Sequence, residues 1–539
     1  MGEAVAGPSP AGDCALFSGV CITFQTHRNP GHHSDRLLVL ASDSIINQSG
    51  WLGEFPWYPA DEIMECFGVK AATYFFRQMT GWLLALALIV APWAWGTVKP
   101  AGLFIAEVIL SLACGCWLLA MLTPAFRPKL PRLLVVCVVL LLVQGWFMTI
   151  NAHRTYNTLT HHFSAAHSLM PLLPGASDQT IAAGAMVHIT AVLLALLMMC
   201  DFAQFPQWRM GLFKALAIAG ASIAIYGLGA KAGIWHPMFN VPGAQDSVFG
   251  SFVYHGVAGA YLNLAIPVQL GLALLYFGQS RRKARGLFWG ASAMITIIGV
   301  MVNISRGAAM ICVGELALLA VLVVWNVRRD DRFRAALARW KWVIVTAACF
   351  LILGVVYAVW HNLPRWEKFQ GDFALHGNSR LLAWRVGWGM VTTHPLFGSG
   401  PGSFKIRFPL SHHMIQALYS HWIVSFYHPG HRISRWSYVS NDYLQTLIQW
   451  GVAGFIVWGV LVLGAFRPVG RLMNRDTSGE HGYSTDDLLI SCVRVAMLGA
   501  FIHAVFDYPL EITALELDVA FYLALNWARQ TAHYRRTAV

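Results

Sequence analysis

The sequence predicts an all-α polytopic membrane protein of about twelve transmembrane helices, with a long, partly helical outer loop between spans nine and ten. Three observations predict it. Of its 539 residues 57% are hydrophobic and 12% charged, where a soluble domain carries about a quarter charged. Apolar runs of about 20 residues, enough to cross roughly 30 Å of hydrocarbon, recur from Trp82 almost to the C-terminus. The basic residues behind the net charge of +12 gather in alternate connections, a pattern of membrane orientation rather than of nucleic-acid binding.

The elements follow in order. Residues 1–79 read as a cytoplasmic tail of mixed polarity, partly disordered or lying on the membrane surface, with Met64 and Met79 as alternative start positions. The short apolar stretch from Ala15 to Phe24 lacks a basic segment before it, so the first span is expected to act as the insertion signal. The expected spans are 80–97, 101–122, 133–150, 180–201, 210–230, 256–278, 287–304, 307–326, 342–360, 441–466, 488–508 and 512–529, within a transmembrane domain of residues 80–529, followed by a cytoplasmic tail at 530–539. Arg127, Lys129 and Arg132, then Arg281 to Arg285, Arg328 to Lys341, Arg467 to Arg475 and Arg529 to Arg536 mark the cytoplasmic connections. Both termini are therefore expected inside. From Leu287 to Asn326 the chain is apolar for a length that would make a helix about 60 Å long, so it must turn. The polar interruption Asn303-Ile304-Ser305-Arg306-Gly307 supplies the turn. Ten cysteines are present, none of them in the long loop. Their spacing suggests packing rather than a disulfide or a metal site, and no cofactor is expected.

Chemistry concentrates outside. Arg306 sits where a cation costs about 2.5–3.5 kcal/mol if it reaches the bilayer centre. It reads either as a snorkelling arginine or as an anion clamp at a cavity mouth. The loop 361–440 carries Arg365, Lys368, Arg380, Arg385, Lys405, Arg407, Arg432 and Arg435 against Glu367 and Asp372, which suits an anionic ligand or anionic head groups. Within it, Arg380, Trp384 and Trp388 repeat at helical spacing, so 379–393 reads as an interfacial helix ended by His394-Pro395. Gly398-Ser399-Gly400-Pro401-Gly402 lacks the strand before it and the Lys after it that a phosphate loop needs, and is expected to be a flexible turn. Histidines His376, His394, His412, His413, His421, His428 and His431 lie in the loop, and His236 and His255 precede span six; an imidazole is suited to deprotonating a sugar hydroxyl. Asn441-Asp442 opens span ten as a helix cap or as a site acid. Asp507, beside His503, needs a partner such as an arginine.

These residues resemble the O-antigen ligase and polymerase superfamily of bacterial inner-membrane glycosyltransferases. The likeness rests on the Ser305-Arg306-Gly307 turn, on Asn378-Ser379-Arg380 with Trp384 and His394-Pro395-Leu396-Phe397-Gly398-Ser399-Gly400, and on Asn441-Asp442-Tyr443-Leu444-Gln445 with Gly451 and Gly454. It covers about 241–517, including weaker similarity at Phe249 to Pro267 and His503 to Pro509. The resemblance implies metal-independent transfer of a glycan from an undecaprenyl-diphosphate-linked donor to a glycan, lipid or protein hydroxyl on the periplasmic face. Arg306 and Arg380, with Arg385, would hold the diphosphate; Ser305, His255, His394, Asn441 and Asp507 would support them. The family's ligases carry a histidine immediately before the Asn of the span-ten start, and here Ser440 stands in its place. His431 or Asp442 is then expected to act as the base. A secondary transporter or a non-catalytic scaffold of a polysaccharide system are the competing readings, with no visible repeat between halves to favour a transporter.

Overall fold

A computed structural model describes short strands between residues 15 and 39, then residues 60–157, 162–239, 247–277, 282–327, 379–410, 438–467 and 485–537, apart from 124–125 and 167. Contacts divide the chain into two units, residues 1–78 with 118–127, and residues 79–117 with 128–539.

In the first unit β1 (Ala15–Phe17) pairs antiparallel with β2 (Val20–Ile22), and β3 (Phe24–Thr26) with β4 (Leu37–Val39). Helix α1 (Ala60–Trp93) begins here. Its Thr73 hydroxyl donates to Thr123 at 2.8 Å, and Arg77 lies 4.3 Å from the Phe126 ring centre. The sequence predicted a first span from residue 80; the helix starts earlier, and its apolar part is Ala71–Trp93.

The second unit holds α2 (Pro100–Leu122, up to Trp117), α3 (Arg132–Ile150), the hairpin β5 (Arg154–Asn157) and β6 (His162–Ala165), α4 (Gln179–Phe202), α5 (Pro206–Lys231), α6 (His255–Phe277), α7 (Lys283–Val302) and α8 (Arg306–Val327). After the next described stretch begins come α9 (Ser379–Thr393), α10 (Phe404–Leu410), α11 (Asp442–Ala465), α12 (Thr485–His503), a 3-10 turn (Pro509–Glu511) and α13 (Thr513–Thr537). Among the described residues nine helices are long and apolar enough to cross a membrane: the apolar part of α1, α2 to α8, and α11. The expected spans at 488–508 and 512–529 are helices as well, outside that nine, and α12 ends at His503, which leaves Asp507 in a connection. The expected span 342–360 lies outside the described residues.

Helix α6 is the centre of the second unit, with 89% of its apolar window buried. Small residues permit this: a side chain on Gly259 would run into Ala308 and Asn303, and one on Gly220 into Ala265. In lipid such close approach replaces the hydrophobic drive as the source of packing energy. Buried amides then tie the helices, Asn263 donating to the Ala308 carbonyl at 2.8 Å and Gln269 to the Ala217 carbonyl at 2.9 Å.

The Gly-rich segment after α9 is held, not loose. Helix α11 breaks at Gly451, whose φ of 62° and ψ of −171° suit glycine alone. The break frees backbone groups, and residues 395–400 take them up: Ser399 N donates to Ile448 O at 2.9 Å, Gly400 N to Gln449 O at 3.0 Å, Val452 N to Pro395 O and Ala453 N to Leu396 O at 2.9 Å. Gly398 and Gly400, with φ of 76° and 92°, let the backbone approach this closely. The expectation of a flexible turn is thus overturned, because buried backbone polar groups demand partners and this segment finds four. Helix α9 packs on the same joint through Ala383, Val386 and Met390, against Val439, Leu444 and Ile448. Its opposite face carries the exposed Trp388.

Candidate functional site

Five elements converge at one end of the helices. The start of α6 brings Tyr254 and His255, the start of α8 Ser305 and Arg306, α9 Arg380, the start of α11 Ser440 to Asp442, and the α12–α13 connection Asp507 to Glu511. The α7–α8 turn is fixed by Asn303, which donates to the His255 carbonyl at 2.8 Å. Ser305 caps α8 by accepting from Ala308 N at 3.3 Å. Arg306 is thereby the first residue of a helix that starts inside the site, half-buried, and the next residue, Gly307, faces the His503 ring.

Asp507 is the hub. It is 4% exposed, and its Oδ2 lies 3.8 Å from Arg380 Nη2 and 3.9 Å from His503 Nε2. Arg380 also donates to the Tyr254 hydroxyl at 2.9 Å, and that hydroxyl is itself hydrogen-bonded to Asp507. Burial raises the Asp507 carboxyl above the ordinary aspartate range, with Arg380 pulling the other way. Burial also raises the Tyr254 phenol, and Asp507 adds to the effect. Although burial alone would weaken its charge, Arg380 stays firmly protonated, held by Tyr254 and Asp507. Three tyrosines form a wall: Tyr254 stacks on Tyr508 with centroids 5.7 Å apart, and Tyr508 on Tyr438 at 4.6 Å.

The remaining expected residues divide. Asn441 caps α11, accepting from Leu444 N at 2.9 Å. Asp442 is buried; its N–H donates to Ala504 O at 2.9 Å and its Oδ2 accepts from Leu510 N at 2.8 Å, so it pins the connection that carries Asp507. Ser440, where the resemblance led to the expectation of a histidine, has a left-handed backbone (φ 56°), and its carbonyl accepts from Trp384 Nε1 at 3.2 Å. Arg385 is five residues beyond Arg380, about 140° round α9, and lies on the exposed side. His394 sits apart, in a setting shared with Arg407 and His153 that lowers its basicity, burial being the larger cause. Arg407 in turn donates to Ser399 and, at 2.8 Å, to Thr393. His431 lies outside the described residues. Among the described residues no group of three His, Cys, Asp or Glu side chains is arranged to hold a metal ion.

Sequence reasoning passed over Tyr254, Tyr438, Tyr508 and Glu511. Tyr254 and Tyr508 lie in the two segments of weaker likeness, Glu511 lies just past the second, and a lone tyrosine at a helix end carries no pattern of its own.

Fold and site together define a multi-pass membrane protein whose helices gather a cation-bearing polar site at one end. Residues 291–459, from within α7 to within α11, match the model of the family described as O-antigen ligase, which supports the O-antigen ligase/polymerase superfamily for this chain and, at family level, membrane glycan transfer in polysaccharide biosynthesis. Tyr254 and residues 503–511 lie beyond the matched segment. No protein of curated function matches the chain.

Proposed function

We propose that this protein moves or polymerises a glycan carried on a polyprenyl diphosphate, at the periplasmic face of a bacterial inner membrane, with both termini in the cytoplasm. The observation that carries the reading is Arg380, ordered by Tyr254 and the buried Asp507, with the turn that starts α8 at Arg306 joined to the same cluster where Gly307 faces His503. A planar guanidinium suits a diphosphate because it donates in pairs and keeps its charge as the leaving group gains its own. The starts of α6, α8 and α11 lie at this site and add the positive ends of their dipoles. The acceptor hydroxyl attacks the anomeric carbon, the bond to the diphosphate breaks, and the electron pair leaves with the lipid carrier. Serine at the position of the ligases' histidine favours a polymerase or exopolysaccharide system over a lipid A-core ligase.

The test is deletion of the gene with complementation by wild type, Arg306→Ala and Arg380→Ala, reading surface polysaccharide on gels. Shortened chains on deletion identify a polymerase, and full-length unattached chains a ligase. Each arginine variant, present at wild-type level in the membrane, is expected to reproduce the deletion. Normal polysaccharide from both stably inserted variants would refute the clamp. For the competing transporter and scaffold readings, the decisive observation is consumption of lipid-linked glycan by proteoliposomes without an ion gradient.

A further inference from the structure

The tyrosine wall has two ends. Arg380 stands at the Tyr254 end, and at the Tyr438 end Lys405 Nζ lies 5.4 Å from the ring centre. Here the 3-10 turn after Asp507 presents Glu511, half-buried and hydrogen-bonded by Gln449. Gln449 is placed by the break in α11, since its carbonyl is the one that accepts from Gly400 N. Asp442 flanks Glu511, with Oδ2 engaged by Leu510 N and Oδ1 without a hydrogen-bond partner although the residue is 4% exposed. On the other side, His188 Nε2 meets Glu516 Oε2 at 2.5 Å and Thr513 Oγ1 at 3.4 Å, and His188 Nδ1 lies 3.9 Å from Glu107. Unlike the Arg380 end, this end is rich in hydrogen-bond acceptors and offers a flat aromatic face. That chemistry suits the hydroxyls and the apolar face of an uncharged sugar, not a second phosphate.

We propose that Glu511 is the base of the transfer reaction, taking the proton of the acceptor sugar hydroxyl as that oxygen bonds to the anomeric carbon of the donor. The inference rests on the donor reading above and fills the role that Ser440 leaves vacant. In the step the O–H proton passes to the Glu511 carboxylate, the new C–O bond forms, and the old bond's electron pair departs with the diphosphate at Arg380 and Arg306. Asp442 is buried with Oδ2 engaged by Leu510 N, and His188 and Glu516 are paired with each other, whereas Glu511 is half-buried and hydrogen-bonded by the Gln449 side chain. Its environment also tunes it: burial and then Glu516 push the carboxyl up to about 7, against the pull of Lys405, His188 and the Gln449 hydrogen bond. A base is most effective near the working pH.

The experiment uses lipid-linked glycan that accumulates in cells lacking the protein, extracted and reconstituted with the purified full chain. Donor consumption is followed across pH, and binding of undecaprenyl diphosphate is followed separately by thermal shift. Wild type is expected to gain rate with a limb centred near 7. Glu511→Gln is expected to lose about 100-fold or more in turnover and to lose the limb, while binding undecaprenyl diphosphate as wild type does. Glu511→Asp is expected to keep the limb at a reduced rate. Turnover by Glu511→Gln within a few-fold of wild type, with the limb intact, overturns the inference and leaves the donor reading standing. Loss of undecaprenyl diphosphate binding in Glu511→Gln also overturns it, since the residue would then be structural. A wild type that neither binds this lipid nor consumes the extracted glycan overturns the donor reading and the inference with it.

Discussion

Replacing Gly451 by alanine tests whether α9 and α11 are one mechanical piece. Gly451 holds φ 62° and ψ −171°, a region open only to glycine, so alanine there costs about 1–3 kcal/mol in backbone strain. Its methyl would also overlap the Leu396 carbonyl oxygen and the Gly398 nitrogen. Relief requires the 395–400 segment to withdraw, and of its four backbone hydrogen bonds to 448–453 the loss of two costs about 1–3 kcal/mol more. The sum is about 2–6 kcal/mol. Gly459→Ala is the control: it lies in the same helix, and a methyl there meets nothing within 4 Å, so it is expected to be neutral or to stabilise by up to about 1 kcal/mol. The assay is the apparent melting temperature of the detergent-solubilised protein by fluorescence-detected gel filtration, with polysaccharide production in parallel. Gly451→Ala is expected to melt well below both wild type and Gly459→Ala, and to lose activity because Arg380 rides on the displaced α9. Equal melting of the two alanine variants would refute the reasoning.

Further outcomes follow from the site. Tyr254→Phe keeps the stack on Tyr508 but removes the hydroxyl between Arg380 and Asp507; a hydrogen bond to a charged group is worth about 1.5–3 kcal/mol, so transfer should fall about 10- to 100-fold with the protein still folded. Asn441→Ala removes the cap on Leu444 N and should lower stability by about 1 kcal/mol, whereas Asn441→Asp should not. Between pH 4.5 and about 7 Glu511 is protonated when folded and ionised when unfolded, so the unfolded chain binds fewer protons and stability falls as pH rises through that window. The full slope is worth about 3 kcal/mol, and Asp507, also raised, adds to it with the same sign. Melting of Glu511→Gln across the window should show a visibly shallower decline; parallel curves would count against a raised Glu511.

Much of this architecture is written locally. The Ser305-Arg306-Gly307 turn was readable because a single helix cannot cross the bilayer twice, and α9 because Arg380, Trp384 and Trp388 repeat at helical spacing. The pairing of Asp507 with an arginine followed from the high energy of an isolated carboxylate near lipid. What sequence could not show are relations between distant segments. Residues 398–402 look like an unconstrained turn because the carbonyls that fix them, at 448 and 449, are some fifty residues on and belong to what reads as an unbroken apolar helix. The tyrosine wall draws on Tyr254, Tyr438 and Tyr508, and only the folded chain brings those helix ends together. Glu107, His188 and Glu516 were legible in principle as lone ionisable groups in apolar runs, but their meeting was not.

The broken α11 also bears on the order in which the chain is assembled. Ser399 and Gly400 emerge from the ribosome before Ile448 and Gln449, whose carbonyls are their partners. Until the later helix is inserted, the earlier segment has four backbone groups to satisfy with water, and α9 has no surface on which to settle. A chain truncated between them, for instance after residue 440, would therefore expose an unfinished joint rather than a smaller folded protein, and quality-control proteases should remove it quickly. Supplying residues 441–539 as a separate polypeptide in the same membrane should rescue it.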